Sequence, residues 1–142
     1  MNPEQEYREG LRRILEGDSR YPEAAYAFVR AGVTFTTEKL KANNPERTER
    51  HITGRQLLDG LRELAIEQFG PLAFDVLQEW RIRRTEDFGN IVFNLVNASL
   101  LGASDEDKPE DFAEGYSFNE AFLKPFVELG TVPETMPKID ET

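Results

Sequence analysis

The chain has 142 residues, 27 of them acidic and 17 basic, for a formal net charge of −10, and 39% are hydrophobic, including ten Phe. That length supports one domain with a sizeable core, and the apolar content argues against global disorder. The absence of Cys removes disulfides, zinc–thiolate sites and cysteine nucleophiles, and the acidity speaks against tight non-specific nucleic-acid binding, whose affinity comes from neutralised phosphates.

The acidity is uneven. Residues 1–100 carry 14 basic and 16 acidic groups, residues 101–142 carry 3 and 11, and all twelve Arg lie at or before Arg84. Such asymmetry points to an acidic loop or tail with a separate role. Asn2 to Glu9 has no signal-like apolar core. The most apolar run, Ile91 to Ala103, is interrupted by Asn94 and Asn97 and is too short for a bilayer. The expectation is a cytoplasmic protein without membrane association.

The spacing of Tyr7, Leu11, Ile14 and Leu15 predicts a helix from Pro3 or Glu4 to Glu16, with Gly17 as its stop. A second helix starts with Pro22 as its first residue and carries Ala25, Phe28, Val29, Gly32 and Val33 on one stripe. The β-branched run Val33 to Thr37 weakens it locally, and Asn43-Asn44-Pro45 ends it. Residues 45–52 form a charged connector. Thr53 and Gln56 then stand at capping-box spacing ahead of Leu57, Leu58, Leu61, Leu64 and Phe69. Gly70-Pro71 separates that third helix from a fourth bearing Leu72, Phe74, Val76, Leu77 and Trp80, with Trp80 expected in the core. A basic turn, Arg81 to Arg84, leads to a fifth helix that opens at Thr85 with Glu86 and Asp87 in its first turn and stops at Gly102. Ser104 to Gly115 is an acidic loop, either a helical turn opened by Pro109 or the two arms of a hairpin. Ser117 and Glu120 announce a last helix, which Pro125 should kink or end.

The expected fold is therefore all-α: a compact bundle of five or six short helices over residues 1–130, with a disordered acidic tail over 131–142. The order of helices three to five, followed by a small hairpin near 101–118, would also suit a winged helix.

Three runs stand out within this order: Arg50-His51-Ile52-Thr53-Gly54, Leu57 through Phe69-Gly70-Pro71, and Thr85-Glu86-Asp87-Phe88-Gly89-Asn90-Ile91-Val92-Phe93. With Asp111-Phe112 and Tyr116-Ser117-Phe118 they resemble a family of uncharacterised bacterial proteins largely restricted to planctomycetes and verrucomicrobia. The resemblance spans Tyr21 to Phe126, about three quarters of the chain. It implies a bacterial, cytoplasmic protein and transfers no catalytic residue.

His51 is the one imidazole, set among Arg47, Glu49, Arg50 and Arg55. It could act as a general acid or base or contact a phosphate; equally, it could pack beside a helix start. Arg81, Arg83 and Arg84 form the densest basic cluster, suited to forked binding of phosphate or carboxylate. Arg50, His51, Arg55, Arg81, Arg83 and Arg84 are thus the candidate binding residues, and no residue is assigned as catalytic. The carboxylates of Glu86 and Asp87 would oppose phosphate at the would-be recognition helix. Asn90, Asn94 and Asn97 could read adenine edges or bond a neighbouring segment.

The acidic loop fails the EF-hand pattern, because Pro109 takes the fifth position and Glu110 stands where Gly is needed, so no metal is assigned. The pairs Glu63/Glu67 and Asp75/Glu79 fall opposite the apolar stripes and read as solvated faces. The chain holds no G-x-S-x-G, no G-x-x-x-x-G-K and no G-x-G-x-x-G, and no cofactor is expected. Opposite charge suggests that the loop 105–114 folds back on Arg81, Arg83 and Arg84. The leading expectation is a non-enzymatic helical interaction module presenting an acidic edge to a protein partner. A winged-helix nucleic-acid binder comes second, and a small enzyme using His51 third.

Overall fold

A computed structural model describes residues 2–49, 51–102 and 108–128. Its helices are α1 (Pro3–Gly17), α2 (Glu23–Asn43), α3 (Gly54–Phe69), α4 (Ala73–Glu79), α5 (Thr85–Asn97) and α6 (Lys124–Glu128), with short 3₁₀ turns at Gly70–Leu72 and Pro109–Phe112. There is no strand among the described residues, so the fold is an all-α bundle. The tail 131–142 lies outside the described residues.

Local chemistry sets the helix starts. Asn2 caps α1 reciprocally, its Oδ1 accepting from Gln5 N at 2.8 Å while Gln5 Oε1 accepts from Asn2 N at 3.1 Å. Thr53 and Gln56 form the expected box at α3. Pro22 is the N-cap of α2, one position ahead of its expected place. Across the β-branched run, Thr36 and Thr37 donate their hydroxyls to the carbonyls of Gly32 and Val33, and α2 runs unbroken.

The helix ends hold the corrections. α5 stops at Asn97 instead of Gly102, because Ser99 takes the left-handed conformation (φ 62°) usually left to Gly. Ser99 N then bonds Val96 O and Leu100 N bonds Leu95 O, a Schellman closure. α4 ends the same way: Arg81 has φ 62°, and Ile82, fully buried, donates to Leu77 O. Pro125 neither ends nor breaks the last helix. It has no N–H to offer the carbonyl four residues back, and the chain widens to a π-turn at Asn119–Leu123 just ahead of it.

The most extensive interface is α2 against α3. It is close because Gly60 has no Cβ: one placed there would lie 1.8 Å from Thr36 Oγ1. An aromatic run crosses the core, from Trp80 and Phe69 through Phe28 and Phe88 to Phe118 and Phe122, with successive ring centroids 5.0–6.4 Å apart. Trp80 is thus a packing residue. The Arg30 guanidinium sits 3.8 Å over the Tyr7 ring and joins α1 to α2.

α5 is fastened to the α1–α2 corner by a polar row. Asn94 Nδ2 donates to Asp18 Oδ2 and to Tyr26 OH, each at 3.0 Å. Asn90 Nδ2 donates to Tyr21 OH at 3.0 Å, and Tyr21 OH donates to Asp87 Oδ1 at 2.6 Å. Asn90 and Asn94 are therefore structural, and Asp87 faces its own fold. Hydrogen bonds from Arg20, ahead of that from Asn94, hold the Asp18 carboxyl well below the usual carboxylate range. Burial, helped by the bond to Asp87, pushes the Tyr21 phenol up to about 12.

Two predictions follow from this packing. Gly60→Ala should destabilise by about 1–3 kcal/mol in urea unfolding despite alanine's better helix propensity, because the added methyl meets Thr36. Gly17→Ala, where nothing lies within 4 Å, should be neutral or gain up to about 1 kcal/mol.

Stability should also fall at both pH extremes. The lowered pKa of Asp18 gives a contribution present above the unfolded value of about 4 and lost as pH falls below it. The raised phenols of Tyr21, Tyr26 and Tyr116, shifted chiefly by burial, contribute below about pH 10 and lose that contribution as pH rises beyond it. Asp18→Asn should flatten the acid limb of a urea-midpoint profile, and Tyr21→Phe the alkaline limb.

Candidate functional site

Helices α2, α3 and α5 enclose a cavity of about 430 Å³. Val33 and Thr37 form its α2 wall, Leu57 its α3 wall, and Val92, Phe93 and Val96 its α5 wall. His51, Ile52 and Thr53, on the approach to α3, line one end. Leu101, Gly102 and Phe112 also border it. Thr37 and Thr53 are exposed, so the cavity reaches solvent. A largely apolar lining with a few polar groups, at this volume, is the usual form of a small-ligand pocket.

Phe112 is positioned by the segment that follows the 3₁₀ turn at Pro109. Its ring meets Phe93 edge-on at 6.0 Å, and it seats in notches made by two glycines. A Cβ on Gly89 would lie 2.8 Å from Phe112 Cβ, and one on Gly54 would lie 2.8 Å from Asp111 Cβ. Buried Thr85 latches the segment: its hydroxyl donates to Phe112 O at 2.6 Å and accepts from Gly115 N at 2.9 Å. Tyr116 OH adds a bond to Leu58 O at 2.8 Å. The described part of 101–118 is thus a docked strap with one helical turn, not a hairpin, and a wing has no strand among the described residues. Asp105, Glu106 and Asp107 lie outside them.

The six candidate binding residues fall in different places. His51 lines the cavity. Its backbone N–H donates to Glu49 Oε1 at 3.0 Å, and its carbonyl accepts from Arg47 Nη2 at 2.9 Å. Arg50 lies outside the described residues. Arg55 donates to Ala113 O at 3.1 Å and so helps hold the strap. Arg81 donates to the carbonyls of Ser19 and Arg20 at 3.2 and 2.8 Å, tying the α4–α5 turn to the α1–α2 corner. Arg83 and Arg84 are exposed, and their backbone N–H groups donate to Asp87 Oδ2. The basic cluster is therefore not part of the cavity. Among the described residues no ion pair joins 108–114 to Arg81, Arg83 or Arg84; the strap meets Arg55 and Thr85 instead.

The cavity combines apolar walls with a few polar groups. Its side-chain polar groups are the His51 imidazole and the Thr37 and Thr53 hydroxyls. Thr37 donates to Val33 O, and Thr53 accepts from Gln56 N. Among the described residues no group of three or more His, Asp or Glu could hold a metal ion, and no helix is long and apolar enough to cross a membrane.

Thr85→Val keeps the shape of the latch and removes its hydroxyl, leaving Phe112 O and Gly115 N without their bonds. A loss of about 1–3 kcal/mol for each unsatisfied group is expected. The Gly115 amide should exchange faster, and a glutamate-specific protease should cut sooner after exposed Glu114.

No protein-family model matches the chain, and no curated protein and no solved structure matches it.

Proposed function

We propose that this chain is a non-enzymatic helical interaction module that presents an acidic edge to a basic protein partner, in the bacterial cytoplasm that its resemblance implies. The observation that carries the reading is Leu72. It is 62% exposed, the one large apolar side chain so exposed among the described residues. It closes the 3₁₀ turn directly ahead of α4, whose Asp75 and Glu79 follow it by three and seven residues. Asp75 and Glu79 are exposed, as are Asp59, Glu63 and Glu67 along the outer face of α3; Lys39 pairs with Glu63, and Arg62 lies in the same stretch. An exposed apolar residue at the start of a helix that bears exposed carboxylates complements a basic surface with an apolar recess.

The arginines support the same reading over nucleic acid. Arg8, Arg12, Arg13 and Arg20 pair with neighbouring carboxylates. Arg30 covers Tyr7, and Arg47, Arg55 and Arg81 bond backbone carbonyls. Arg62, Arg83 and Arg84 are exposed, but Arg83 and Arg84 stand beside the acidic first turn of α5, so the winged-helix reading stands behind. Catalysis by His51 has the cavity in its favour and stands third.

A synthetic amphipathic Lys/Leu peptide provides the test. In an amide-shift titration it should perturb residues 59–79, with affinity falling as salt rises. Leu72→Ser combined with Asp75→Lys and Glu79→Lys should weaken binding at least tenfold. Peptide binding elsewhere, or binding unaffected by the triple variant, would sink the reading.

A further inference from the structure

We propose that the cavity between α2, α3 and α5 is a binding site for a small carboxylic acid with an apolar body of roughly a dozen non-hydrogen atoms. This goes beyond the acidic docking edge, since neither Leu72 nor any of those carboxylates lines the cavity.

Size selects a small molecule over a single inserted side chain. At about 430 Å³ the cavity falls in the size range of small-ligand sites. A Leu or Phe side chain has only four to seven non-hydrogen atoms and would leave much of that space empty. The walls select an apolar body: Val33, Leu57, Val92, Phe93, Val96 and Phe112 offer no hydrogen bond. An apolar molecule sheds its hydration on entering, which favours the complex.

The polar end fixes the orientation and the head group. Thr53 lines the cavity beside His51, and its hydroxyl, which accepts from Gln56 N, keeps its own proton to donate. The Arg47 guanidinium lies one hydrogen bond from the His51 carbonyl and supplies positive charge at this end. The Glu49 carboxylate, accepting from His51 N, opposes it in part. The start of α3, with Thr53 and Gly54 in the lining, adds its partial positive charge to Arg47. At the other polar position, the Thr37 hydroxyl proton is already donated to Val33 O, which leaves no donor for a second head group. A single carboxylate beside His51 and Thr53, with an apolar tail against Val92, Phe93 and Val96, matches this lining.

Octanoate and octan-1-ol, titrated into the full chain below the octanoate micelle threshold, test the proposal by amide shifts. Octanoate should perturb residues 33–37, 51–57 and 92–96 and bind at least tenfold more tightly than octan-1-ol. Val96→Trp, which fills the cavity with an indole, should lose octanoate binding by at least tenfold while keeping the wild-type circular dichroism. Should that variant not fold, Thr37→Phe obstructs the cavity from an exposed position and should weaken binding likewise. Leu72→Ser should leave octanoate binding unchanged, which separates this site from the docking edge. Absence of octanoate binding, shifts confined to other residues, equal affinity for the alcohol, or full binding by a folded cavity-filling variant would each overturn the proposal.

Discussion

The position of α5 is the constraint on which the other features of this fold rest. Three faces of one thirteen-residue helix address three different neighbours. Asp87, Asn90 and Asn94 reach the α1–α2 corner through Tyr21, Tyr26 and Asp18. Phe88, Ile91 and Leu95 are fully buried in the core. Val92, Phe93 and Val96 line the cavity. Hydrophobic burial supplies most of the stabilisation but is non-directional, and it would tolerate rotation of α5 about its axis. The polar row does not, because a turn of one residue would leave the buried oxygens of Tyr21 and Tyr26 without their amide donors. Directional bonds on one face therefore fix which side chains line the cavity on another.

That division of labour explains what can be read from the sequence. Capping boxes at Thr53–Gln56, apolar stripes and the opening of α5 at Thr85 are local, and each is legible within a window of a few turns. The helix ends at Arg81 and Ser99 are not, because the left-handed position is filled by residues that carry no glycine signal. At Ser99 the informative residue is the next one: Leu100 packs against Gly10, and that long-range contact holds the strained conformation in place. At Arg81 the stabilising partners are the carbonyls of Ser19 and Arg20, some sixty residues away in sequence. Asn90 and Asn94 could be recognised as an i, i+4 pair, but their partners lie 68 to 76 residues away for Asn94 and 69 for Asn90. Pattern reveals the pair; only the tertiary fold identifies its partner.

The candidate site divides along the same line. His51 draws attention because it is the one imidazole, and it does line the cavity. The arginines draw attention by density, which is a poor guide to a site because Arg is equally suited to bonding main-chain carbonyls, as Arg55 and Arg81 do. The cavity walls had no sequence signal beyond ordinary core periodicity. A void is a property of how three helices fail to fill the space between them, and no single stripe encodes it. Gly54 and Gly89 were the nearest clue. Each lies in a run singled out by resemblance, and each makes room for the strap that carries Phe112.

The net charge of −10 also takes on a more specific meaning once the partners are known. A surplus of carboxylates need not produce an acidic surface if the basic groups are equally exposed. Here several arginines are held by aromatic and carbonyl groups that carry no charge to neutralise: Arg30 by Tyr7, Arg47 by His51, Arg55 by Ala113 and Arg81 by Ser19 and Arg20. Their charge remains, but their positions are fixed by the fold and are not free to follow the carboxylates of α3 and α4. Asp59, Glu67, Asp75 and Glu79 are exposed without an ion pair to a described Arg or Lys. On the function proposed for this chain, these exposed carboxylates would draw in a basic surface before any apolar contact at Leu72 forms.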